Sequence, residues 1–185
     1  MTGKLLWQVT MSLDGFIAGP GGDMTWMSGS GGPNPVAYEV MSKIGALLIG
    51  GRTYHLDDNS PATERSKPYG GAWTGPMFVL TGEDPAEAAP GFTFLSGDIG
   101  AAVAAAKDAA GEKYVNILGA NVAKRCLAAG LLEEILVHVA PVLVGDGVRL
   151  FDQPGFDSLR LEPISLTTTD KVANMWLRVP ARATP

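Results

Sequence analysis

Three short stretches of this chain carry residue types suited to holding an anionic ligand. Gly119 and Ala120 have little side chain, so a pyrophosphate can approach the backbone and lie on the free N–H groups of Asn121 and Val122, where a helix begins. Arg52 follows the pair Gly50-Gly51 and offers a planar fork of donors matched to phosphate, to which the Thr53 hydroxyl adds another. The third stretch, Ser12-Leu13-Asp14-Gly15-Phe16-Ile17-Ala18, supplies one carboxylate. Asp14 is placed to hydrogen-bond a substrate or relay a proton through water, or else only to form an Asp-Gly turn. Trp26, in the loop after Gly21-Gly22-Asp23, has an indole wide enough to cover a ligand ring or to anchor that loop.

Other chemistries find little support. The chain has neither a GxGxxG fingerprint nor a P-loop, so a classical nucleotide-binding domain is disfavoured. One cysteine and two histidines at unrelated spacings exclude an intramolecular disulfide and argue against a metal site. Glu39, the one acid on the first expected helix, lies off its apolar face and four residues before Lys43, as in a solvated ion pair. His138 shares a strand face with Leu136 and Ala140 and reads as packed or edge-facing; Cys126 reads as core. A net charge of −5, with scattered Lys and Arg, points to a small-molecule partner and away from nucleic acid. No apolar run approaches the roughly 20 residues of a membrane span, and the first residues lack signal-peptide features, so a cytoplasmic location is expected.

These residues need elements to position them. A chain of 185 residues is expected to form one domain over 1–185. Period-two patterns predict strands at 5–11, 46–49, 77–80, 92–95, 114–118 and 134–144, the last interrupted by Pro141 and so placed at an edge or bulge. Helical spacing predicts 35–44, capped by Asn34 with Pro35 in its first turn, then 99–110 capped by Asp98, and 121–129 ending at Gly130. Residues 57–76 read as a long surface loop in which Tyr69 and Trp73 form a lid or meet a dimer partner. Runs at 158–168 and 172–179 predict a terminal antiparallel hairpin. The alternation of β and α gives a mostly parallel, mixed sheet with an antiparallel edge. In such sheets ligands bind beyond the carboxyl ends of the strands, where all three stretches fall.

The order of these junctions resembles the dihydrofolate reductase-like superfamily, and more closely the group containing the riboflavin-biosynthesis reductase (RibD C-terminal) domain. The resemblance rests on 12–18, on Leu47-Leu48-Ile49-Gly50-Gly51-Arg52-Thr53-Tyr54, and on Ala129-Gly130-Leu131-Leu132-Glu133-Glu134 running into Ala140-Pro141-Val142-Leu143-Val144-Gly145-Asp146-Gly147. It implies a three-layer α/β/α reductase using NADPH, often a homodimer. Ile17 and Ala18 would line the nicotinamide; Arg52 and Thr53, beside Gly51, would bind adenosine-side phosphates. Thr81 would lie near the adenine ribose, and Gly119, Ala120, Asn121 and Val122 would cradle the pyrophosphate. Riboflavin reductases usually carry a lysine and a glutamate, both touching the phosphorylated pyrimidine, where this chain has Gln8 and Leu118. That substrate is therefore in doubt, and a catalytically silent nucleotide-binding or dimeric interaction module is the alternative reading.

Overall fold

A computed structural model describes residues 3–28, 34–55, 68–82, 90–152, 157–169 and 171–181. The strands are β1 (Leu5–Ser12), β2 (Phe16–Ala18), β3 (Ile44–Gly50), β4 (Met77–Leu80), β5 (Phe92–Leu95), β6 (Tyr114–Leu118), β7 (Glu134–Ala140), β8 (Val148–Arg149), β9 (Glu162–Thr168) and β10 (Ala173–Arg178). The α-helices among the described residues are α1 (Pro35–Ser42), α2 (Gly51–His55), α3 (Ile99–Ala110) and α4 (Ala120–Ala128). Eight strands form one sheet in the order β5-β4-β3-β6-β1-β7-β10-β9, and β2 pairs with β8 in a small antiparallel ribbon. From β5 to β7 every pairing is parallel; β10 runs antiparallel to both β7 and β9.

Alternation along β1 sorts the two faces. Leu5 and Trp7 pack with Ala102, Val103 and Ala106 of α3 and Val122, Ala123 and Cys126 of α4. Leu6 packs on the opposite face with Val40 of α1 and Tyr54 of α2. Helices therefore cover both sides of the sheet, the three-layer arrangement expected of a parallel sheet buried on both faces. The Ala-rich α3 lets the backbone come close: a Cβ on Gly45 of β3 would lie 2.6 Å from the Ala110 carbonyl oxygen. Asp98 caps α3 by accepting from the Ala101 N–H at 2.9 Å, as expected.

Three expectations need correction. Helix α1 stops at Ser42, and Ile44 already opens β3. Asn34 precedes α1 without capping it, because its amide is spent on side chains of the sheet. The seventh strand is interior, between β1 and β10, and ends at Ala140; Pro141 lies just past it, where no ladder N–H is required. Of the 57–76 loop, residues 57–67 lie outside the described residues. Its later part is well anchored: Trp73 is buried, packs with Leu6 and Val40, and donates its indole N–H to the Ile44 carbonyl at 3.0 Å.

Candidate functional site

The loops that follow β3, β4 and β6 meet at the carboxyl edge of the sheet. Gly119 links β6 to α4 at φ 113° and ψ 130°, and a Cβ there would sit 2.4 Å from Thr53 Oγ1. Only glycine accommodates both the backbone and the contact. A Cβ on Gly51 would lie 3.0 Å from Thr81 Oγ1, and one on Gly50 3.2 Å from Val122 Cγ2. Gly51, Thr53, Thr81 and Gly119–Val122, far apart in sequence, thus form one continuous wall. No side chain caps α4, so its leading N–H groups are open to an anion. The Val122 side chain belongs to the core and leaves only its backbone for a ligand, whereas Asn121 and Arg52 are exposed. Glycine-bared backbone, an uncapped helix start and flanking Thr hydroxyls fit a dinucleotide pyrophosphate, with Arg52 on α2 within the same loop cluster.

The loop after β1 forms the other bank. Asp14 accepts from Ser12 Oγ at 2.6 Å, from the Gly145 N–H at 2.7 Å and from the Val144 N–H at 3.1 Å. The Ser12 hydroxyl in turn accepts from the Phe16 N–H at 2.9 Å. The Ser12 hydroxyl, chiefly, holds the Asp14 carboxyl down to about 2; desolvation opposes it, and the Val144 and Gly145 N–H groups add to the lowering. Such a carboxylate stays ionised at neutral pH and is suited to pinning 144–145 onto the turn after β1. Ile17 and Ala18 lie on β2, with Phe16 opposite Arg149 and Ala18 opposite Val148; the Arg149 guanidinium stacks 4.5 Å from the Phe16 ring centre. Trp26 is half-buried in a single 3₁₀ turn at Thr25–Met27. Its indole N–H is buried without a hydrogen-bond partner among the described residues, an unmet donor on the residue read either as a ligand cover or as a loop anchor.

The sequence pattern of the RibD C-terminal domain matches residues 3–174. The chain belongs to the RibD C-terminal domain family. No curated protein matches it, but solved structures of the same fold do. A putative riboflavin biosynthesis protein from Shewanella sp. PV-4 is 21% identical with a TM-score of 0.75, over 97% of this chain and 99% of that one. A dihydrofolate reductase from Enterococcus faecalis, complexed with NADP(H), is 16% identical with a TM-score of 0.65, over 97% of each chain. A diaminohydroxyphosphoribosylaminopyrimidine deaminase/5-amino-6-(5-phosphoribosylamino)uracil reductase from Thermotoga maritima is 15% identical with a TM-score of 0.65, covering 97% of this chain but 57% of that one. At these identities the likeness is one of fold: a dihydrofolate reductase-like α/β sheet.

This RibD C-terminal domain carries a polar row that joins Gln8 and His138, which the sequence offered only singly, to Asn116 and Asn174. Asn116 of β6, Gln8 of β1, His138 of β7 and Asn174 of β10 lie on successive strands, on the face covered by α1. Asn116, His138 and Asn174 are buried. The Gln8 N–H donates to Asn116 Oδ1 at 2.9 Å, and Asn116 Nδ2 donates to the Tyr69 hydroxyl at 2.8 Å. Tyr69 holds φ at 56°, and burial pushes its hydroxyl up to about 12. Its hydroxyl meets the sheet face through Asn116 while the residue as a whole stays partly exposed. Burial likewise lowers the His138 pKa, a hydrogen bond with Asn174 opposing it. Gln8 Oε1 and Asn34 Oδ1 are buried without a partner among the described residues; an acceptor left so costs about 1–3 kcal/mol. The signal was present at Gln8, Thr10 and Ser12, which alternate with apolar residues in a central strand. The small cavity of about 90 Å³ lined by Leu127, Leu132, Leu159 and Val179 touches the amino end of β7, away from this chemistry.

Among the described residues no His/Cys/Asp/Glu cluster could hold a metal, and no helix is long and apolar enough to cross a membrane. Glu39 is exposed and paired with Lys43 at 2.5 Å, as expected for a solvated pair. Cys126 is buried in the core between α4 and the sheet.

Proposed function

We propose that this chain is a cytoplasmic NADPH-dependent reductase acting on a small heterocyclic or carbonyl/imine substrate. The observation that carries the reading is the glycine-only junction at Gly119, packed against Thr53 and continuous with Gly51 and Thr81 at the open end of α4. The pyrophosphate would lie on the backbone of 119–122, Arg52 and Thr53 would take the adenosine-side phosphates, and Thr81 would adjoin the ribose. Ile17 and Ala18 would place the nicotinamide beside β1. When bound, NADPH supplies a hydride to the carbon of a C=N or C=O group. The protein's part is alignment and exclusion of water. Asp14 holds the 144–145 turn against the end of β1; because its carboxyl stays ionised at neutral pH, the proton that completes the reduction comes from water.

A homodimer is proposed as well, seated on the outer hairpin, where Ile164, Leu166 and Met175 stand exposed. Sedimentation equilibrium at micromolar concentration checks it, a monomer speaking against it. The reductase reading is tested by titrating the protein with NADPH and NADH while following reduced-nicotinamide fluorescence, with Arg52→Ala as the control. NADPH binding that weakens about tenfold or more in Arg52→Ala, the scale of one lost charge-assisted phosphate contact, supports the cofactor map. Binding of neither nucleotide overturns it and leaves the dimeric interaction module.

A further inference from the structure

His138 is a buried imidazole with an amide side chain against each ring nitrogen. Asn174 Nδ2 donates to Thr167 Oγ1 at 3.3 Å, which turns Asn174 Oδ1 toward His138 Nδ1 at 2.6 Å. Two acceptors do not approach so closely, so Nδ1 carries the ring proton. Asn34 Nδ2 donates to the same Oδ1 at 2.8 Å and lies 3.1 Å from Nδ1; that second contact is between two donors converging on one oxygen. With Nδ1 protonated, the neutral ring has Nε2 as its acceptor, and Gln8 Nε2 donates to it at 3.0 Å. The other branch of that amide, Gln8 Oε1, is buried without a partner among the described residues. The row thus holds an acceptor to spare beside the one ring nitrogen that can still take a proton.

We propose that this row is a proton switch: on acidification His138 takes a proton at Nε2, and the Gln8 amide turns over to accept it through Oε1. A half-turn of an amide exchanges its oxygen and nitrogen with almost no change of shape, so the backbone of β1 and β7 stays in place. The Asn174 side is the same in both states, because Nδ1 donates in each. What changes is Gln8, which directs its N–H groups to where its carbonyl stood and has a positive charge behind it. The charged and titratable groups on the elements packed round the ring are committed elsewhere. Glu134 at the start of β7, roughly 13 Å back along the strand, takes Lys4 of β1, Tyr114 of β6 and Trp176 of β10. Arg178 of β10 pairs with Glu162, and Glu39 of α1 pairs with Lys43 while Tyr38 is exposed. Asp14 after β1 is held by Ser12 and the 144–145 N–H groups, and Tyr69 meets the row at Asn116. Burial opposes a proton on the ring and the Asn174 hydrogen bond favours it, so the switch works below the 6.5 of an ordinary histidine.

The test uses the whole chain, labelled with ¹⁵N at histidine and glutamine, and needs no ligand. Long-range ¹H–¹⁵N spectra near pH 7.5 are expected to show His138 as the Nδ1–H tautomer. As the pH is lowered toward 4.5, the ring is expected to become doubly protonated and the Gln8 side-chain N–H₂ signals to move with the same midpoint. Gln8→Glu keeps a charged acceptor against Nε2 and should raise that midpoint by about one unit or more, whereas Gln8→Leu offers no acceptor and should lower it. An Nε2–H tautomer near pH 7.5, a ring that stays neutral until the chain unfolds, Gln8 signals indifferent to the charge of the ring, or a midpoint unmoved by both substitutions overturns the proposal. The native-chain spectra decide it by themselves where a variant does not fold.

Discussion

Gly119 carries two constraints at once, a backbone at φ 113° and a Cβ direction that ends 2.4 Å from Thr53 Oγ1. Gly51 carries only the milder one, an approach of 3.0 Å to Thr81 Oγ1 and 3.1 Å to its Cβ. Gly119→Ala is therefore expected to lose about 1–3 kcal/mol from the backbone alone, and to weaken NADPH binding by displacing Thr53. Adding Thr53→Ala should return the steric part and not the backbone part. Urea unfolding and fluorescence titration of the single and double variants check this; a Gly119→Ala protein of native stability would contradict it. At this scale the meeting of Gly51, Thr53, Thr81 and Gly119 was legible because small and hydroxyl residues placed just after strands converge at the carboxyl edge of a parallel sheet. Asn34 misled because an Asn before a Pro-led helix looks like a cap, and only the tertiary fold brings His138 and Asn174 close enough to compete for its amide. The surroundings of His138 were hidden for the same reason, since its partners come from β1, from Asn34 just before α1, and from β10.

Strands with a clear period were readable nearly to the residue: 77–80, 92–95 and 114–118 appear as expected. Ribbon β2/β8 was not, because three residues and two residues are too short to show an alternation. What makes the ribbon an element is Asp14, which ties the turn after β1 to Val144 and Gly145 just ahead of β8. The pH dependence follows from the direction of its shift. Its folded pKa, about 2, lies below the ordinary 3.8, so its contribution is fully present above about 3.8 and is lost as pH falls toward 2. Asp14→Asn keeps the size but removes the charge that three donors share. The variant is expected to have a stability flatter between pH 4 and 2 than the native chain, and faster amide exchange at Val144 and Gly145. Acid-unfolding curves that superimpose would show that the carboxylate does not hold the ribbon.

For the whole molecule, the mixed topology was legible from the β/α alternation followed by two adjacent Thr- and Val-rich runs, whereas the place of β7 was not. Pro141 reads in the sequence as marking an edge or a bulge within a longer strand, and it marks neither: β7 ends at Ala140, and β10 returns to pair on its outer side. That return closes the sheet beside β1 and leaves the crevice walled by loops from four different strands, so a ligand lying across it ties together segments that otherwise meet through few side chains. Binding to the folded state alone stabilises by about 2.7 kcal/mol at one hundred times the dissociation constant. For a domain of this size each kcal/mol raises Tm by roughly 2–4 °C. NADPH at that excess is therefore expected to raise Tm by roughly 5–10 °C, with a much smaller rise in Arg52→Ala at the same concentration. Thermal unfolding with and without nucleotide measures both. An equal rise in the two proteins would place the nucleotide away from α2 and require a different map of the crevice.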